Sequence, residues 1–325
     1  MTNAADLDRP RRPAAGYAEA RERLRTLEAL DGASRVALNP VSHTRFLTPV
    51  SGASTRRVLV YFHGLTNSPQ SFVPLAERFV AGGDAVLIPR LPRHGYADGL
   101  NTDQAGLTAE ALVDTAAEAI DLAAGLAEEV LVAGISLGGV LAAWAAQYRP
   151  VTRAVVIAPS IGLPIVPGAL NRALIAAALA LPNAFVWWDP RRRADLPGPP
   201  YAYPRYSTHA LARVQRLGFA IVAAARHTPP AAAETWAVTN GADLAVNNGD
   251  VDTLVRHWRR SRSGRGCARI ETFRFPRRLR LFHDIVDPLQ PYQQVSLTHP
   301  VLARIIGEGT APDPASLRRC AEGGW

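Results

Sequence analysis

The residues best suited by type and spacing to do chemistry lie in Gly134-Ile135-Ser136-Leu137-Gly138. The run follows β-branched and apolar residues and opens an alanine-rich segment, the strand-to-helix setting in which a serine is turned out of a sheet as a nucleophile. Gly134 and Gly138 matter because so sharp a bend leaves no room for side chains beside the serine. The bend lifts the Ser136 hydroxyl clear and aims the first amides of the following helix at whatever it attacks. The blander alternative is a glycine-rich turn with an incidental serine. A second run, His63-Gly64-Leu65-Thr66, ends an earlier apolar segment. Attack on a carbonyl carbon turns its oxygen into an oxyanion, which needs two or more donors aimed in advance. The backbone N–H groups of Leu65 and Leu137 are assigned to that hole. His63 is read as a loop residue whose ring bonds locally, not as a proton carrier.

These residues need elements to position them. Short β-branched runs alternate with longer Ala/Leu-rich stretches, the pattern of a parallel sheet covered by helices. Strands are predicted at 57–62, 84–88, 129–133, 153–157, 234–239 and 268–275, with weaker candidates at 35–38 and 43–48. Helices are predicted at 15–30, 68–81, 107–127, 140–148, 250–260 and 289–306. Between 161 and 230, Pro, Ala, Trp and Tyr replace that rhythm and no clear βα unit can be drawn. The expectation is one α/β domain, a mostly parallel central sheet flanked by helices, with an inserted helical cap. Its parts are an N-terminal helix with leading strands (1–50), core (51–160), cap (161–230) and core again (231–325). In the cap, Leu170, Leu174, Ile175 and Leu181 fit one apolar helix face. Such a face either lines an acyl pocket or simply docks the cap.

With His63-Gly64 and the following Ser68-Pro69, Arg93-His94-Gly95, and Gly134-Ile-Ser-Leu-Gly-Gly139, the chain resembles the α/β-hydrolase family. Within it the likeness is to the carboxylesterase and monoacylglycerol-lipase-like branch, over about residues 55 to 306. The resemblance implies the α/β-hydrolase fold and a Ser–His–Asp hydrolase of carboxylic esters that needs neither metal nor organic cofactor. It also implies the chain order serine, acid, histidine. Of the histidines after Ser136, His209 and His227 fall in the cap, His257 inside a helix, and His299 in the last helix before Pro300. His283 lies in a loop after the last strand, where a general base can reach back over the sheet. Asp243, on a strand-end loop, is the acid that would fix the imidazole tautomer and stabilise the imidazolium, with Asp284 the next candidate. Asp250 and Asp252 suit the first turn of a helix, and Asp284 and Asp287 suit bracing the loop.

Composition narrows the rest. The 325 residues are 48% hydrophobic and 20% charged, as in a compact globular chain rather than a disordered or fibrous one. The net charge of +8 would raise nucleic acid as a partner, but all 36 basic residues are arginine and no recognition pattern accompanies them. A solvated arginine-rich surface is the simpler expectation, also for Arg191-Arg192-Arg193. Cys267 and Cys320 form neither a disulfide framework nor a zinc pattern, and Cys267 has no base near it in sequence. From the polar start of the chain, no secretory signal is expected. The most apolar stretch, 163–188, is broken by Asn171, Arg172, Pro182 and Asn183. A cytoplasmic protein acting on a small-molecule ester with an apolar acyl group is expected. The same triad acting on a lactone, thioester, amide or C–C bond is the alternative chemistry. A silent member of the fold that binds a ligand or partner is the alternative class.

Overall fold

Seven of the apolar runs pair into one sheet in the computed structural model, which describes residues 7–49, 55–196, 198–261 and 268–318. Its strands are β1 (Arg45–Leu47), β2 (Arg57–Phe62), β3 (Ala85–Ile88), β4 (Glu129–Ile135), β5 (Arg153–Ile157), β8 (Glu234–Asn240) and β9 (Arg269–Phe275). They lie side by side in the order β1-β3-β2-β4-β5-β8-β9, with only β1 antiparallel to its neighbour. The helices are α1 (Tyr17–Gly32), α2 (Val73–Ala81), α3 (Ala109–Leu126), α4 (Leu137–Tyr148), α5 (Gly168–Ala180), α6 (Thr208–Ala224), α7 (Asn248–Ser261) and α8 (Val295–Glu308).

Alternation along each strand sends side chains to opposite faces. Val58, Val60 and Phe62 join residues of α1, α3, α4, α6 and α7 in one core layer. Leu59 and Tyr61 join Phe72, α2 and α8 in the other. Both faces are thus covered, which is why the strands read as nearly continuous apolar runs.

Most boundaries shift by one to three residues, α4 for instance opening at Leu137 rather than 140, and three departures are larger. Residues 35–38 form no strand; Leu38 makes only an isolated bridge to Tyr96. The helix expected over 68–81 opens as a 3-10 turn, Pro69–Phe72, before α2 takes over with Pro74 near its start. The last helix begins at Val295 rather than 289, because the N–H groups of Leu289, Gln290 and Gln293 are taken up in turns, by Asp287 Oδ1, Asp287 O and Gln290 O.

The chain leaves the sheet between β5 and β8. Residues 158–233 contain α5, α6 and a two-stranded antiparallel ribbon, β6 (Phe185–Trp187) with β7 (Arg205–Ser207). Helix α6 is set deeply, with Val214, Leu217 and Ile221 in the core layer. On α5 the proposed apolar face divides: Ile175 is buried, whereas Leu170 and Leu174, like the following Leu181, are exposed.

Candidate active site

Sheet order decides where chemistry can sit. From β2 the chain moves to β3 on one side and to β4 on the other, so their carboxyl ends flank a topological switch point, where α/β sheets bind ligands. Phe62 pairs with Gly134 there. The His63-Gly64-Leu65 loop and the serine bend therefore leave the sheet side by side.

The bend is strained. Ser136 has φ 59° and ψ −114°, a conformation L residues rarely hold. Its N–H donates to Ile157 O at 3.1 Å, and its carbonyl accepts from Val140 and Ser160 N–H at 3.1 and 3.0 Å. The flanking glycines are required by close approach. A Cβ on Gly138 would collide with the Phe62 carbonyl, and one on Gly134 with the backbone of Gly138. At Gly64 a Cβ would lie 3.6 Å from Ser136 Cβ, an ordinary contact that would nonetheless fill space beside the serine.

On the same carboxyl edge, the loops after β8 and β9 bring Asp243 and His283 together. His283 Nδ1 lies 2.7 Å from Asp243 Oδ2, and Asp243 Oδ1 accepts the Ala245 N–H at 2.8 Å. The Asp243 carboxylate is wholly buried. Burial pulls the His283 pKa down, but the charge and hydrogen bond of Asp243, with Asp284 behind, outweigh it and leave the imidazole above its usual value. His283 Nε2 is buried and has no hydrogen-bond partner among the described residues. The Asp–His pair is therefore assembled, while the Ser136 hydroxyl and Nε2 are not joined by a hydrogen bond. Catalytic contacts are often long before substrate binds.

The other histidines weighed for this role have surroundings of their own. His63 is fully buried, its Nδ1 3.0 Å from Gly64 O and its Nε2 accepting the Leu91 N–H at 3.3 Å. Burial holds its pKa well below normal. His209 and His299 sit against the carbonyls of Leu181 and Val286. His257 meets Arg226, and His227 is exposed. Leu65 and Leu137 are buried. Leu137 opens α4, so its N–H has no intrahelical acceptor.

Several neighbours of the site carried no sequence signal. Asn67 Nδ2 donates to Asp284 at 3.1 Å and to Asp287 at 3.2 Å, and Tyr201 O–H donates to Asp287 at 2.8 Å. Asp284 Oδ1 also accepts the N–H groups of Val286 and Asp287, so it braces the histidine loop. Burial and the charge of Asp284 push the Asp287 carboxyl up to about 6. Each partner comes from a different segment, which is why spacing could not reveal the cluster. A separate groove of about 640 Å³, lined by Arg256, Arg259, Arg260 and Arg274 with Asp252, shares no residue with this site. Cys267 and Cys320 lie outside the described residues.

A model of the Alpha/beta hydrolase family matches residues 58–303, and the chain belongs to that family. Over 90 residues it is 33% identical to the thermostable monoacylglycerol lipase of Bacillus sp. (strain H-257). That match takes in 27% of this chain and 34% of the relative, so the chain spans about a third of the length of the curated relative it matches. Among solved structures, one of the metagenome-derived lipolytic enzymes LipS and LipT superposes with TM-score 0.58 at 20% identity, over 83% of this chain and 98% of that one. The monoacylglycerol lipase of Paleococcus ferrophilus gives TM-score 0.54 at 17% identity, over 81% and 97%. At such identities the structural likeness is one of fold.

Proposed function

We propose that the chain is a serine hydrolase of carboxylic esters, acting through Ser136, His283 and Asp243 on a small ester with an apolar acyl group. One observation carries this most: a strained serine and a buried Asp–His pair share one edge of the sheet, and the free imidazole nitrogen is the one without a partner. A buried polar atom without a partner calls for a reason, and accepting the serine proton supplies it. The names of the relatives, lipases and lipolytic enzymes, support the same class.

In this mechanism Nε2 of His283 takes the Ser136 proton as the hydroxyl oxygen attacks the ester carbonyl. Asp243 holds the Nδ1 proton and favours the imidazolium that forms. The oxyanion is held by the N–H groups of Leu65 and Leu137. Collapse expels the alcohol, which leaves with the proton from Nε2. Water then repeats the cycle on the acyl-enzyme, releasing the acid and restoring Ser136. Residues 161–230 would act as the cap over this edge, between core segments 51–160 and 231–325.

The test pairs a fluorophosphonate label with a series of p-nitrophenyl esters. Labelling confined to Ser136, turnover of at least one chain length, and loss of both in Ser136→Ala are expected, with kcat down on the order of 10⁶. A wild-type protein that neither labels nor turns over any ester would overturn the assignment.

A further inference from the structure

We propose that Gln104 is a positioning residue that locks the oxyanion-hole loop and ties its geometry to the inserted segment. This rests on reading Ser136 as the nucleophile and the Leu65 N–H as an oxyanion donor.

Gln104 lies in a 3-10 turn, Asp103–Gly106, in the loop before α3, and is essentially fully buried. Its Nε2 donates to the Leu65 carbonyl at 2.7 Å, and its Oε1 accepts the Ser207 N–H at 2.8 Å. The Leu65 carbonyl has a second neighbour, His94 Nε2 at 2.6 Å. One peptide unit earlier, the Gly64 carbonyl accepts the Asn67 N–H at 3.1 Å and faces His63 Nδ1 at 3.0 Å. The peptide planes on both sides of the Leu65 Cα are thus each held at their carbonyl from two directions. The Leu65 N–H lies in the first plane, and the second plane, held by Gln104 and His94, backs it by restraining the Leu65 φ and ψ. A preorganised donor avoids reorganising when charge develops.

Gln104 differs from the other three groups in its second bond. Ser207 ends β7 and caps α6, so one side-chain amide links residues 161–230 to the oxyanion loop. The same loop carries two direct ties to that segment: Tyr203 N–H to Thr66 O at 2.7 Å, and Trp188 Nε1 to Thr66 Oγ1 at 3.0 Å. The chemistry demands an amide at 104. The position must donate to a carbonyl and accept from an N–H at once, which no ionised carboxylate can do.

The experiment separates the two bonds. Gln104→Glu keeps an acceptor for the Ser207 N–H but turns a carboxylate oxygen toward the Leu65 carbonyl. Gln104→Met removes both bonds. Ser207→Pro removes the N–H and leaves Gln104 intact, and Ser207→Ala, which loses the same hydroxyl, is its reference. Rates are normalised to the fraction of sites titrated by fluorophosphonate, so loss of folded protein does not register. The expected result is a fall in kcat of about 10- to 100-fold for both Gln104 variants, below the roughly 10²–10³ for an oxyanion donor lost outright, with KM changed less than threefold. The Ki of an alkyl boronic acid, whose tetrahedral adduct places an oxygen in the hole, should rise in step. Ser207→Pro should fall at least fivefold below Ser207→Ala. If wild type labels at Ser136 and hydrolyses esters, yet the Gln104 variants keep kcat and boronate Ki within threefold, the positioning role is overturned while the catalytic assignment stands. Should the Gln104 variants yield no titratable sites, the Ser207 pair decides, and equal rates for the two overturn the coupling. A wild-type protein inert to both probes would overturn the catalytic assignment and this one with it.

Discussion

His283 carries two opposed consequences of one contact. Its imidazolium is favoured by Asp243 at 2.7 Å, and the pKa stands above the usual histidine value despite burial. A group whose pKa is raised on folding stabilises the fold below its unfolded pKa, about 6.5, and that contribution is lost as pH climbs through the folded value. In the proposed mechanism the ring must be neutral to take the Ser136 proton, so activity is expected to grow over the range in which this stabilisation fades. The acid limb of the kcat/KM profile is therefore expected above pH ~6.5 in wild type. In Asp243→Asn it should move down, with kcat reduced by roughly 10⁴. A limb that stays in place in the variant would remove Asp243 as the partner in solution. Gly138→Ala makes a separate point, since its methyl would enter the Phe62 carbonyl. About 3 kcal/mol or more of stability should be lost, read from denaturant unfolding. The Ser136 motif was legible in the sequence because sterics at one bend dictate the residue types there. Gln104, Asn67 and Tyr201 were not, because their partners lie far along the chain.

At the scale of elements, the loop after β9, the loop after β2 and the inserted segment meet at Asp287. Tyr201 donates from the insertion and Asn67 from the β2 loop, and the carboxyl is raised to about 6 by burial and by Asp284. The folded carboxyl keeps its proton to about pH 6, whereas an unfolded one releases it near 3.9. Its contribution is fully present below about pH 4 and declines by on the order of 2–3 kcal/mol as the pH rises past 6. Asp287→Asn, which cannot ionise, should show a flatter dependence of unfolding free energy on pH between 4 and 6. Identical slopes in the two proteins would sink this account. The strands and helices of the sheet were readable because each buries a periodic set of residues. The ribbon of β6 and β7 was not: its strands span three residues each, too short for any alternation to register. Helix α5 misled for a related reason, since a regular apolar stripe does not say whether anything covers it.

For the whole molecule, the arginine surplus has a partly structural use. Arg57 forks onto Asp84 at 2.8 and 2.7 Å and reaches the Gly307 carbonyl at 2.8 Å. Arg153 binds Glu234 at 2.6 Å and the Ile306 carbonyl at 2.8 Å. Two strands are thereby fastened to the end of α8, where free carbonyls favour a cation. A planar fork does this and an ammonium does not. Arg153→Lys is expected to lower stability by about 1–2 kcal/mol in urea unfolding, with kcat unchanged. No helix among the described residues is long and apolar enough to cross a membrane.

By itself the sequence determined the alternation of strands and helices and the serine bend, because both follow from local rules: side-chain period and steric room beside a tight turn. It also supplied Asp243 and His283 as candidates, through chain order and loop position. Only the tertiary structure decided that those two touch, that a glutamine holds the Leu65 carbonyl, and that a buried carboxyl joins three segments. These are contacts between residues up to 220 positions apart. Hydrogen bonds of that kind are fixed by how the sheet orders its strands, and no local pattern encodes them.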